Sequence, residues 1–138
     1  LIEKTVKDYK GLSGCRIDLR LDKKIGNVNM DHELMVRVFK NLIENSQHAS
    51  EEYCLIEITT SEEDSKVIAE VSDHGKGIKR GMLKKIFEPF NSERDDGYGF
   101  GLAFVRETVK RHGGEIKVRS VVDEGTTFII TFPAEKEV

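Results

Sequence analysis

The sequence predicts an α/β two-layer sandwich, a mixed and mostly antiparallel sheet of about five strands with helices on one face. Three observations predict it. Several short runs alternate apolar with polar residues, the period of two expected of a strand with one buried face. Other stretches repeat their apolar residues at three and four, the stripe of a helix packed on a core. The chain has 138 residues, enough for one unstapled domain burying roughly 68% of the surface its unfolded chain would expose.

Residues 1–10 have helical apolar spacing and stop near Gly11, a helix terminator. Cys15, Ile17, Leu19 and Leu21 alternate with charged residues and predict a first strand. From Asp31, a good N-cap, Leu34, Met35, Val38, Leu42 and Ile43 recur at helical spacing, so a helix is expected to about Ser50. Residues 54–60 and 66–73 read as a hairpin around a charged turn at 61–65, with Val67, Ala69, Val71 and Asp73 on one face. Residues 81–90 predict a short helix closed by Pro89, and 91–98 a polar loop. Leu102, Val105 and Val109 mark another helix, stopped by Gly113 and Gly114. Residues 115–121 and 126–132 form a final hairpin before the charged tail at 135–138. The expected organisation is a helix stub at 1–12, entering from an upstream domain, then one globular domain at 13–134.

The formal net charge is −3, which gives no basic field for nucleic acid or an anionic membrane. Cys15 and Cys54 have no CxxC spacing and are expected as two buried thiols in a reducing cytoplasm. No apolar run approaches the roughly 20 residues of a membrane span. The chain opens at Leu1 without an initiator Met and reads as a fragment of a longer protein. His74 and His112 lack metal-ligand spacing.

Chemistry concentrates in a few blocks. Asn41 and Asn45 are four residues apart, which on a helix puts two neutral amides on one face. An amide oxygen is a hard ligand suited to a Mg²⁺ ion that takes its remaining ligands from phosphates and water. Asp73 ends an apolar stripe, where a carboxylate needs a reason. Ionised, it only accepts hydrogen bonds, so it selects the amine of adenine; its other reading is a turn with Gly75. Gly75 and Gly77 let a planar base approach the backbone, although the same spacing is common in turns. Gly97, Gly99 and Gly101 lead into a helix starting near Leu102, where free N–H groups and the helix dipole favour an anion such as a triphosphate.

In this order, residues 41–49, 73–78, 86–90, 97–102 and 125–128 resemble the N, G1, F, G2 and G3 boxes of the catalytic ATP-binding domain of sensor histidine kinases. That domain belongs to the superfamily shared with gyrase and the mismatch-repair ATPases, and its fold is of the Bergerat type. The resemblance implies cofactors ATP and Mg²⁺, with Asn45 as metal ligand and Asn41, His48, Ala49, Asp73, Gly75, Gly77 and Ile78 around the nucleotide. It adds Phe87 and Phe90, which position an ATP lid and are as readily core aromatics. It adds the phosphate loop of Gly97, Tyr98, Gly99, Phe100, Gly101 and Leu102, in which Tyr98 and Phe100 depart from the family's Thr and Leu. Thr126 matches a threonine that assists the adenine-binding acid. Arg94, the sole Arg or Lys between residues 91 and 98, either reaches the terminal phosphate or is a solvated surface arginine. His48, where the family often has Lys, either faces the phosphates or is solvated.

Position 41 separates relatives. Hydrolytic and serine-phosphorylating members carry a Glu there as general base; Asn41 cannot take a proton, so the resemblance implies a site that holds ATP without hydrolysing it. Glu44 points about 100° away from that position. His32 lacks the surroundings of a phosphoacceptor. The implied partners are a dimerisation or histidine-phosphotransfer domain supplying the acceptor His, and a response regulator; nucleic acid and direct membrane contact are not expected. The implied fragment is cytoplasmic and monomeric. Two other classes stand against a histidine kinase: a non-catalytic, nucleotide-gated adaptor and a serine kinase of the anti-sigma type.

Overall fold

The computed structural model describes residues 1–9, 14–50, 53–89 and 101–135. Its elements run α1 (Ile2–Tyr9), β1 (Arg16–Leu21), α2 (His32–Ala49), β2 (Leu55–Glu63), β3 (Lys66–Asp73), a 3₁₀ turn (Arg80–Met82), α3 (Gly101–Arg111), β4 (Glu115–Val121) and β5 (Gly125–Pro133). The five strands form one sheet in the order β1-β2-β3-β5-β4. β1 pairs with β2 in parallel and every other pairing is antiparallel, which is the mixed sheet expected.

The core lies between the sheet and its helices. Met35, Val38, Leu42 and Ile43 of α2 and Val105 and Val109 of α3 are fully buried, as are Ile56, Ile58, Val71, Phe128 and Ile130 from the strands. α1 contributes Val6, so the N-terminal helix packs on the same core. Asp31 caps α2 as expected, its Oδ1 accepting the Leu34 amide at 3.0 Å. At the far end of α3, His112 ties the two helices together. Its Nε2 accepts the Asp31 N–H at 3.0 Å, and its Nδ1 therefore carries the proton donated to the Thr108 carbonyl at 2.8 Å.

Three expectations need correction. The β2–β3 strands continue to Glu63 and Lys66, and the turn is only Asp64-Ser65, both at positive φ, a tight hairpin geometry that Asp tolerates well. Residues 81–89 form no α-helix. Met82, Leu83, Lys85 and Glu88 each donate to the carbonyl three residues back, so the segment is a chain of 3₁₀-type turns that seats Ile86 and Phe87 on the core.

The third concerns the cysteines, which are joined as a Cys15–Cys54 disulfide, Cα–Cα 4.7 Å, rather than held as thiols. The parallel register sets Arg16 beside Leu55, which brings the preceding cysteines side by side. Their separation of 39 residues hides this in the sequence.

Candidate functional site

β3 ends where β5 begins, and the last turns of α2 lie over that end of the sheet. Gly75 is pressed so closely on Ala49 that a Cβ there would collide with the Ala49 carbonyl, and the next amide, Lys76 N–H, donates to that carbonyl at 2.9 Å. Gly77, at φ 73°, lies equally close to the Val121 carbonyl; no side chain fits either position. The turn after β3 is thus fastened to α2 on one side and to the β4–β5 hairpin on the other, where Asp123 N–H donates to the Lys76 carbonyl at 2.8 Å.

Asp73 sits at the centre of this arrangement, 4% exposed. Its Oδ1 accepts from the Gly75 amide at 2.9 Å and the Thr126 amide at 3.2 Å. The turn with Gly75 therefore exists, and it uses one oxygen only. The other, Oδ2, is buried and has no hydrogen-bond partner among the described residues, and the same is true of the Ser46 hydroxyl on α2. Burial pushes the Asp73 carboxyl above the usual carboxylate range, against the pull of the Gly75 amide, of the Ser46 hydroxyl, which lies near it without closing a hydrogen bond, of the Thr126 amide and of His74. His74 itself is paired with Glu57 at 2.8 Å.

Thr126 serves Asp73 through its backbone. Its hydroxyl is 2.8 Å from Ser120 Oγ, which gives its single proton to the Gly125 carbonyl at 3.0 Å and accepts the Ile78 amide at 2.7 Å. The Thr126 hydroxyl is therefore the donor to Ser120. Ser120 thereby fixes Ile78, Gly125 and Thr126 at once. Ser120 belongs to no motif of the sequence, and Ser46 stands inside the 41–49 block without a role of its own, yet each is marked: Ser120 ends the Ile116-Val118 stripe of β4 as Asp73 ends that of β3, and Ser46 interrupts the apolar face of α2.

Asn41 and Asn45 lie one turn apart on α2, both partly buried. The Asn41 amide donates to the Gly101 carbonyl at 3.2 Å, which ties α2 to the first residue of α3. Gly101 and Leu102 thus open α3 beside the asparagines. Phe87 meets the core ring Phe128 edge to face at 6.4 Å, so it is a core aromatic here, and the Arg106 guanidinium stands 5.9 Å from its ring. His48 is exposed. Phe90, Arg94, Gly97, Tyr98, Gly99 and Phe100 lie outside the described residues. At the opposite end of the sheet, Met30, His112 and Pro133 line a groove of about 460 Å³ that holds none of the expected site residues.

The sheet is thus mixed, roofed by helices, and carries a buried acid at one end, and the comparisons with known proteins give its class. Residues 30–136 match the histidine kinase-, DNA gyrase B-, and HSP90-like ATPases, and the chain belongs to that family. Within it the chain is of the histidine-kinase catalytic type. Sporulation kinase C of Bacillus subtilis (strain 168) is 30% identical over 131 residues, 95% of this chain and 28% of that protein. Sensor histidine kinase ZraS of Salmonella typhimurium is 34% identical over 113 residues, 81% of this chain and 24% of that one. The chain thus spans about a quarter of the length of these relatives. The nucleotide-free catalytic domain of histidine kinase ThkA superposes with a TM-score of 0.85 at 26% identity, covering 96% of this chain and 90% of that one. The mycobacterial sensor histidine kinase MprB reaches 0.86 at 21% identity, over 99% and 95% of the two chains, a likeness of fold alone. Among the described residues no helix is long and apolar enough to cross a membrane.

Proposed function

We propose that this domain binds Mg-ATP at the Asp73 end of its sheet and passes the γ-phosphoryl group to a histidine on a separate dimerisation domain, for onward transfer to a response-regulator Asp. The observation that carries the reading is the buried Asp73, with one oxygen held by two amides and the other without a partner among the described residues. A carboxylate in that state accepts from the exocyclic amine of adenine and repels the carbonyl of guanine. Gly75, Gly77 and Ile78, fixed by Ala49, Val121 and Ser120, form the wall for the base, and Thr126 completes it.

The asparagine pair fits a hard cation. Among the described residues no three His, Cys, Asp or Glu side chains cluster as a metal site, and one amide oxygen from Asn45, with phosphate and water for the rest, is the way Mg²⁺ is commonly held beside a nucleotide. When bound, the ion neutralises charge on the phosphates. Asn41 cannot act as a base. Its bond to Gly101 instead holds the first residues of α3, Gly101 and Leu102, beside α2, and in this reading the glycine-rich block that precedes them, Gly97, Tyr98, Gly99 and Phe100, binds phosphate. In this reading Arg94 approaches the terminal phosphate, Phe87 and Phe90 seat the lid, and His48 borders the phosphates. Catalysis is then positioning and charge stabilisation. The helix α1 is the end of a longer helix from the dimerisation domain, and the parent protein keeps this domain in the cytoplasm, where ATP is.

The test is transfer of label from γ-labelled ATP to a supplied dimerisation domain. Label on that domain that survives base and is lost in acid supports the reading, whereas label retained on the chain itself or rapid phosphate release contradicts it. Asn45→Ala should abolish magnesium-dependent ATP binding by titration calorimetry while leaving the fold intact.

A further inference from the structure

Ser46 lies on the stripe of α2 that also carries Leu42 and Ala49, one helical turn away on either side. Ala49 is the residue on which the turn after Asp73 is fastened, through Gly75 and the Lys76 amide. Ser46 is therefore directed at the end of β3. It is completely buried, and its hydroxyl has no partner among the described residues. Serines in helices commonly turn back to a carbonyl one turn earlier, as Ser50 does to the Ser46 carbonyl at 2.9 Å. Ser46 does not. A buried hydroxyl left open beside a carboxylate oxygen also left open is a mismatched state for both groups, and a small movement on ligand entry would resolve it.

Resting on the adenine reading of Asp73 above, we infer that Ser46 is a positioning residue for nucleotide recognition: its hydroxyl donates to Asp73 Oδ2 and aims the carboxylate at the 6-amino group of the base. The oxygen has room for both partners, because a carboxylate oxygen accepts more than one hydrogen bond. Oδ1 is already held by the amides of Gly75 and Thr126, so the donor from α2 fixes the remaining rotational freedom of the group. The Ser46 hydroxyl also acts on the ionisation of Asp73, lowering its pKa against burial. The surroundings are otherwise simple. His74 is the titratable group that acts on Asp73 from its own strand end, β5 presents the uncharged Thr126 amide, Ile56 is the β2 residue in register with Asp73, and Glu57 beside it is engaged by His74.

The experiment compares ATP with purine riboside triphosphate, which lacks the 6-amino group, by magnesium-containing titration calorimetry on the chain and on Ser46→Ala between pH 5 and 8. The two ligands share their phosphates, so their affinity ratio isolates the amine. The unsubstituted chain should prefer ATP. Ser46→Ala should lose about three- to tenfold of that preference at neutral pH. Its preference should also fall away at a higher pH than that of the unsubstituted chain, because the ionised acid has lost a donor. A ratio and pH profile unchanged by Ser46→Ala, or an equal loss for both ligands, would overturn the inference and leave the nucleotide site standing. Failure of the unsubstituted chain to bind either ligand would overturn the nucleotide reading and the inference with it. Thermal melting of Ser46→Ala checks that the fold persists.

Discussion

The two ends of the sheet treat their polar groups differently. At the end where β3 starts and β5 finishes, the fold completes its bonds: Asp31 caps α2, His112 uses both ring nitrogens, and the Ala134 amide reaches the Ser65 carbonyl at 2.9 Å. At the other end Asp73 and Ser46 each keep a buried atom without a partner among the described residues, although burial makes that costly. Glycines there also bring backbone against backbone at Gly75, Gly77 and Gly125. A chain selected for stability alone would fill the open valences with an apolar pair. Leaving them open beneath the asparagine helix is what a ligand site requires.

Substitutions at the two ends should therefore have opposite signatures. The largest effect is expected from Gly125→Ala. Gly125 adopts φ 135°, and a Cβ there would strike the Asp73 carbonyl, so the change combines backbone strain with a clash. A loss of about 3 kcal/mol or more in urea unfolding is expected, together with loss of ATP binding. A variant of unaltered stability would show that the turn has slack the structure does not.

Asp73→Asn comes next and should separate binding from folding. The amide presents its N–H₂ to the adenine amine, donor against donor, and ATP affinity should fall by about 100-fold in calorimetry. Stability should not fall with it. Burial holds the Asp73 carboxyl above its ordinary value, so the folded chain binds more protons than the unfolded one between the two values. The ionised acid therefore costs stability that appears as pH rises through that window. Asn escapes it, so the melting temperature of the variant at neutral pH should equal or exceed that of the original. Unchanged ATP affinity would detach Asp73 from the base.

His112→Ala, at the other end, should show the reverse. The Asp31 amide loses its acceptor, and about 1 kcal/mol of stability should disappear in urea unfolding with ATP affinity unchanged. Weaker ATP binding of the same size would mean that the ends are coupled through α2 and α3.

Much of this contrast was legible in the sequence because it follows from local periodicity. The Asp31 cap, the α2 stripe, the final hairpin and the position of Asp73 at the end of Val67, Ala69 and Val71 all follow from spacing of two or three to four residues. What local spacing does not carry is register. The parallel pairing of β1 with β2 joins segments separated by a helix, so nothing near Cys15 or Cys54 signals that they meet. The segment 81–89 has helix-like apolar spacing, but its bonds close at three residues and not four, as residues of a short connection fastened at Ile86 and Phe87 can do. Ser46 and Ser120 are inconspicuous because a serine is unremarkable in isolation; each matters through the apolar stripe it interrupts. Asn41 and Asn45 stand out as a pair, whereas the bond that turns Asn41 to Gly101 is a tertiary fact.

The most direct measurement is the amide chemical-shift map of the labelled chain on addition of Mg-ATP. Ser46, Gly75, Ile78, Thr126 and Leu102 should shift together, at one end of the sheet, while Met30, Asp31, His112 and Ala134 at the other end stay in place. Shifts centred on the groove of Met30, His112 and Ala134, with the amides around Asp73 unmoved, would contradict the placement of the nucleotide and the function built on it.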